Sequence, residues 1–252
     1  MIVQSEVEAA LHRLYIGAEG TSLRKEDRKK AAEIVAFLAE IEKLLGKGKR
    51  ARTTLVDAAA GKAYVGLLAA ELLLKPSGRS AKVILIEREP RHAAACRRAV
   101  AELGGGGIDF TVHEADVGDG AAWPAAPDVV LALHACGPAS DITIDQAIRS
   151  QARHLLLVPC CTSTKVAASA LALEKADGLG LPRHAEVRRR FIQAIVDAER
   201  TLRLEAAGYE TVVVPFVPPT VTPHNLLWRS RRVEEPARMR RAAADLRRLH
   251  GD

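Results

Sequence analysis

Two apolar runs in the middle of the chain end in side chains that can do chemistry. One closes in Leu133-His134-Ala135-Cys136-Gly137-Pro138-Ala139-Ser140-Asp141 and the other in Val158-Pro159-Cys160-Cys161. If both runs are neighbouring buried strands, an imidazole, thiols and a carboxylate collect at strand ends, where open α/β sheets build ligand sites. His134 can take a proton from a hydroxyl or amine, because imidazole titrates near neutrality. It can equally be a hydrogen-bonded histidine at a strand end. Cys136 can line the same pocket. Asp141 can join the chemistry or cap the helix that begins at Ile142. Cys160 and Cys161 allow burial as small apolar residues, a soft metal site with His134 and Cys136, or a reactive thiol. Adjacent strand residues face opposite ways, so no metal is assigned.

A third segment, Val56-Asp57-Ala58-Ala59-Ala60-Gly61-Lys62-Ala63-Tyr64, reads as a strand turning into a helix around a nucleotide-like ligand. Gly61 lets a ligand approach the backbone closely, having no Cβ, and Asp57 can fix the turn or an ammonium group. Ala59 and Ala63 suit such a turn only if their φ stays negative. The shortage of glycine argues against a dinucleotide pyrophosphate. Glu87 closes the next apolar run, at the spacing of a ribose-binding acid, and Arg88 beside it can pack along a base. Asp116 and Val117 follow the third run, suited to an exocyclic amine and a ring face. Thr222-Pro223-His224-Asn225 offers two more polar side chains, read either as substrate contacts or as a rigid turn.

The elements that must position these groups follow from periodicity. Residues 4–15 and 24–46 read as helices, the second with Ile34, Phe37, Leu38, Ile41, Leu44 and Leu45 on one face. Strands are expected at 53–57, 82–87, 109–113, 129–134, 154–159, 210–217 and 225–229. Helices are expected at 64–74, 91–103, 142–151, 184–207 and 234–249. Alternation implies parallel pairing with right-handed crossovers. The last two strands have too short a connection for a crossover and should pair antiparallel. Residues 1–49 form an N-terminal helical segment, 50–232 the main domain and 233–252 a basic C-terminal helix.

With 252 residues, 48% of them hydrophobic, the chain can bury a sizeable core. Aromatics at 4% make that core aliphatic and leave few platforms for stacking bases. The net charge of +6 favours an anionic partner. Arg183, Arg188, Arg189, Arg190, Arg200 and Arg203, with eight more arginines beyond residue 228, suit phosphate oxygens. The basic face of residues 24–30 reads as solvated. No apolar stretch is long enough for a membrane span, and four unspaced cysteines without a secretory leader point to a reducing, cytoplasmic setting.

Three separated motifs, Gly61-Lys62-x-Tyr64, His134-x-Cys136-Gly137-x-x-Ser140-Asp141 and Pro159-Cys160-Cys161, together resemble one family of class I S-adenosylmethionine (SAM) methyltransferases. It is related to the eukaryotic tRNA acceptor-stem 2′-O-methyltransferase and to methyltransferase-like proteins. The resemblance covers about residues 50–232 and departs from the family pattern at Ala59 and Ala63. It implies an α/β, Rossmann-like fold with a seven-stranded, mostly parallel sheet, an antiparallel last strand and an N-terminal helical extension. It further implies SAM held by Asp57, Ala59, Gly61, Tyr64, Glu87, Arg88, Asp116, Val117 and His134. Lys62, Cys160, His224 and Asn225 would face the acceptor, and His134, Cys136 and Asp141 the reaction. RNA is the acceptor that the resemblance and the charge favour. A small molecule, a protein, or binding without catalysis are the alternatives.

Overall fold

The computed structural model describes residues 2–16, 22–46, 52–159, 164–184 and 186–251. Its centre is a seven-stranded sheet: β1 (Arg52–Ala58), β2 (Ser80–Glu87), β3 (Ile108–Glu114), β4 (Val129–Ala135), β5 (His154–Pro159), β6 (Tyr209–Pro215) and β7 (Leu226–Arg232). The spatial order is β3-β2-β1-β4-β5-β7-β6. Strands β1 to β5 pair in parallel, and β7 runs antiparallel to both β5 and β6. The order reverses direction between β1 and β4, which opens a crevice at their C-terminal ends.

The central strands carry buried apolar runs, Val83–Ile86, Val129–Ala132 and Leu155–Val158, because the sheet is covered on both faces, whereas β3 and β7 mix in polar residues. Leu55, Val83, Leu85, Val129, Leu131, Leu156 and Val158 point into one core. Val56, Ile84, Ile86, Val130, Ala132, Leu155 and Leu157 alternate into the other. The first core is covered by α1 (Gln4–Leu11, continued by a wide π turn to Ile16), α2 (Lys25–Gly46), α3 (Tyr64–Ala69, with a π turn to Leu74) and α4 (Pro90–Leu103). The second takes Ile144 of α5 (Pro138–Arg149) and Leu204 of α7 (Glu186–Ala206). Helices α6 (Ala167–Gly178) and α8 (Pro236–His250) pack on α7 rather than on the sheet.

Three expectations need correction. Helix α5 starts at Pro138 behind Gly137, not at Ile142, so Asp141 sits in its first turn and Gly137 holds the cap position. Helix α6 was not foreseen. Ala59 and Ala63 do not keep φ negative: they stand at φ +52° and +57°, the left-handed conformation that glycine adopts without strain. The turn keeps its shape with alanine because its backbone is tied down. The Ala60 amide donates to the Ile86 carbonyl, and the Ala63 amide to the Ala60 carbonyl.

Candidate active site

The β1–α3 turn is held from both sides. Buried Asp57 accepts a hydrogen bond from the Gly66 amide at 2.8 Å. A Cβ on Gly66 would lie 2.9 Å from that same carboxylate oxygen and 2.9 Å from Leu85, so this glycine sets how closely α3 meets the sheet. Nothing lies within 4 Å of the corresponding point at Gly61, which is needed for its φ of +59° instead. Burial pushes the Asp57 carboxyl up to about 7; the Gly66 amide opposes the rise and the Glu87 charge adds to it. Glu87, at the end of β2, accepts from the Gly61 amide at 2.6 Å and from the Glu89 amide at 2.7 Å. Each of its oxygens keeps a second lone pair for a ligand hydroxyl.

Next along the strand ends, Asp116 accepts from the Gly118 amide at 2.8 Å and stands 3.7 Å from an Arg88 nitrogen. Both side chains are exposed. Val117 is buried, and its carbonyl accepts from the Trp123 indole.

On the other side of β1, His134 ends the regular part of β4. It sits at φ +62°, where the β4–β5 register shifts. Its Nε2 lies 2.7 Å from a carboxylate oxygen of Glu33 on α2, a residue only 7% exposed. The turn and this histidine line one cavity of about 400 Å³, a size that suits a small-molecule site. Asp57, Ala59, Gly61, Lys62, Tyr64 and His134 line it as the sequence suggested. Lys30, Glu33, Ile34 and His92 line it too and were not foreseen. Lys30 and Glu33 extend the buried stripe of Phe37 and Ile41 by one to two turns, and that spacing was the signal available. The rim is braced from α1. The Tyr15 hydroxyl donates to the Lys62 carbonyl at 2.9 Å, the Tyr15 and Tyr64 rings meet edge-on at 4.6 Å, and the Lys30 ammonium lies 4.7 Å from the Tyr64 ring centre.

Other expected site residues are elsewhere. Asp141 accepts a forked pair of hydrogen bonds from Arg200, both 3.0 Å, and another from Arg203 at 2.9 Å; it joins α5 to α7 and does not line the cavity. Cys136 is exposed and disulfide-bonded. Cys160 lies outside the described residues, as does Cys161. Asn225 donates to the Val217 carbonyl at 2.9 Å, bracing its own loop. His224 and Asn225 line a second, smaller cavity of about 160 Å³ with Pro159, Gln193 and Trp228. Burial, then the neighbouring His134 and Arg189, lowers the His224 imidazole below its usual range, against the pull of Glu33. The two cavities are thus close enough for their histidines to feel each other.

Most of the arginines expected to form an anion surface are ion-paired. Arg188 holds Asp177, Arg189 holds Glu186, Arg203 holds Asp141 and Asp145, and Arg231 holds Glu210. Arg200 is fully buried.

The family profile described as "Methyltransferase domain" matches residues 29–168, more than half of the chain. A Xenopus laevis protein described as a glutathione S-transferase C-terminal domain-containing protein is 28% identical over 144 residues, 57% of this chain and 21% of that protein. The Homo sapiens protein of the same description is 24% identical over 192 residues, 68% of this chain and 29% of that protein. The chain therefore spans less than a third of the length of these relatives. Among solved structures, a Listeria monocytogenes protein assigned to the class I SAM-dependent methyltransferases aligns over 99% of this chain and 80% of its own, with 10% identity and a TM-score of 0.49. M. capricolum TrmK bound to S-adenosylhomocysteine (SAH) aligns over 77% and 66%, with 11% identity and a TM-score of 0.39.

Proposed function

The chain belongs to the methyltransferase-domain family, and from that premise we propose that it is a SAM-dependent methyltransferase acting on RNA. The observation that carries this reading is the single cavity that joins the β1–α3 turn to His134. A donor site and a proton acceptor face one space.

The residues present fit SAM. The ligand's three parts map onto consecutive strand ends: the amino-acid part against Asp57 and the 59–63 turn at β1, the ribose against Glu87 at β2, the adenine near Asp116 at β3. Parallel register brings these ends level, since Ala58 pairs with Ile86 and Glu87 with Glu114. Lys30 and Lys62 supply ammonium groups to the same cavity as the Asp57 carboxylate, a combination that suits an α-amino acid zwitterion. When bound, SAM supplies a methyl group on a sulfonium that is already activated. The protein's work is then alignment and water exclusion. His134 takes or orients the acceptor proton. Lys30 of α2 lines the cavity, and Lys25, Arg28 and Lys29, exposed on the same helix, can hold phosphates.

Calorimetry with SAM and SAH tests the donor site, with Glu87→Ala as control. Micromolar binding that the variant loses supports the reading; no binding by the wild type refutes it. His134→Ala should cut methyl-label transfer to total RNA by about 10²-fold or more while SAM affinity stays within a few fold. Label entering metabolites but not RNA would replace RNA with a small-molecule acceptor.

A further inference from the structure

We infer that Glu33 of α2 is the positioning partner of His134, and that the pair makes Nδ1 the proton-accepting nitrogen of the site. The inference rests on the methyltransferase reading above and goes beyond it, because α2 lies outside the motifs that suggested that reading.

Three observations carry it. Glu33 is a nearly buried carboxylate, and burying a carboxylate is costly unless a partner compensates it. Among the described residues its hydrogen-bond partner is His134 Nε2, at 2.7 Å. The imidazole is held in place on its own side as well: His134 adopts φ +62°, which is uncommon for a residue with a Cβ and is imposed where the β4 ladder shifts register. Finally, both side chains line the donor cavity.

The chemistry follows from proton inventory. A neutral imidazole carries one N–H. A carboxylate at 2.7 Å accepts, so Nε2 is the nitrogen that bears hydrogen, and Nδ1 carries the lone pair. As the acceptor oxygen or nitrogen gains the methyl group, its proton passes to Nδ1. The positive charge that leaves the sulfonium then resides on the imidazolium, beside the Glu33 carboxylate, and total charge is conserved. Glu33 touches neither reactant. It fixes the tautomer and favours the charged product state of His134. The other titratable groups lining this space are Lys30 from α2, Asp57 and Lys62 from the β1 side, Tyr64 from α3 and His92 from α4, and His224 of the neighbouring cavity acts on His134 through its charge.

The test combines histidine ¹⁵N NMR of the full chain with methyl-label transfer from SAM. Transfer is read to total RNA and, in parallel, to a deproteinised metabolite extract. Wild-type His134 should show a pyrrole-type Nε2 and a pyridine-type Nδ1. Glu33→Gln keeps the side-chain shape but loses the charge. It should lower the transfer rate about 10- to 100-fold, with SAH affinity unchanged. Glu33→Asp should recover part of the rate, a rescue that a merely structural contact would not give. A wild-type Nδ1–H tautomer, or a Glu33→Gln enzyme with unchanged rate, overturns the inference. If wild type binds no SAH and transfers no label to either pool, the methyltransferase reading falls and the dyad's role falls with it. SAH binding with an unperturbed variant refutes the dyad alone.

Discussion

Asp57 shows how one buried group can couple proton, fold and ligand. Its carboxyl is 3% exposed and accepts one backbone amide. Burial, which outweighs that amide, raises it to about 7. A carboxyl raised on folding favours the native state while protonated. Its contribution is fully present below the unfolded value near 4 and is lost as pH rises through about 7. The loss is on the order of 4 kcal/mol, and Asp57→Asn should abolish that slope in urea unfolding between pH 4 and 8. A ligand ammonium opposite Asp57 reverses the preference and drives the proton off. SAH affinity should therefore rise by up to about tenfold per pH unit between pH 5.5 and 7. 5′-Methylthioadenosine, which lacks the amino-acid group, should bind with no such slope, and Asp57→Asn should flatten SAH binding. An equally flat wild-type profile for both ligands would remove Asp57 from ammonium recognition. The motif around Asp57 was legible because strand, glycine turn and helix are neighbours in sequence. The left-handed φ of Ala59 and Ala63 was not, because alanine alone argues against it. The shape depends on bonds made across to β2, from the Ala60 amide to the Ile86 carbonyl and from the Gly61 amide to Glu87.

At the scale of elements, β2, β4 and β5 were legible because each is a short apolar run closed by a polar residue or proline. Helix α6 was hidden. Its alanine-rich sequence has no polar face, since it packs on α7 rather than against the sheet. Glu33 was hidden for another reason. It reads as one charge among many on α2, and its partner lies 101 residues away. Asp141 teaches the converse. A carboxylate beside a reactive-looking motif serves as the joint between two helices, gripped by Arg200 and Arg203 on α7. Arg200 is wholly buried, so removing the Asp141 charge leaves it only the longer contact with Asp197, at 3.6 Å. Asp141→Asn should cost about 3 kcal/mol in urea unfolding. SAH affinity, measured where the variant remains folded, should stay within a few fold. A variant of native stability that transfers no methyl label would place Asp141 in the reaction instead.

At the scale of the molecule, the two faces of the sheet divide the work. The face covered by α1 to α4 carries the cavity, and α2 supplies Lys30, Glu33 and Ile34 to its lining. The other face carries α5 and α7, with α8 packed on α7, and most of the arginines that suggested an RNA surface are spent there on Asp and Glu. Net charge was legible in the sequence, but its arrangement was not, since pairing across helices decides which cations remain available. On α2, the helix that lends Lys30 and Glu33 to the cavity, Lys25, Arg28 and Lys29 are all exposed. Counterion release makes the salt dependence of RNA binding count the phosphates neutralised, with a slope of about −0.7 per phosphate for single strands. Reversing those three charges to Glu should therefore make the slope shallower by about 2 and weaken binding at low salt, while SAH affinity is retained. The same reversal at Arg240, Arg241 and Arg247 of α8 should change the slope by less than one. If the α8 variant loses the slope and the α2 variant keeps it, RNA docks on the layer away from the cavity and cannot be the methyl acceptor. If neither variant alters it, the exposed cations of α2 hold no phosphate, and the acceptor is a molecule small enough to enter the cavity.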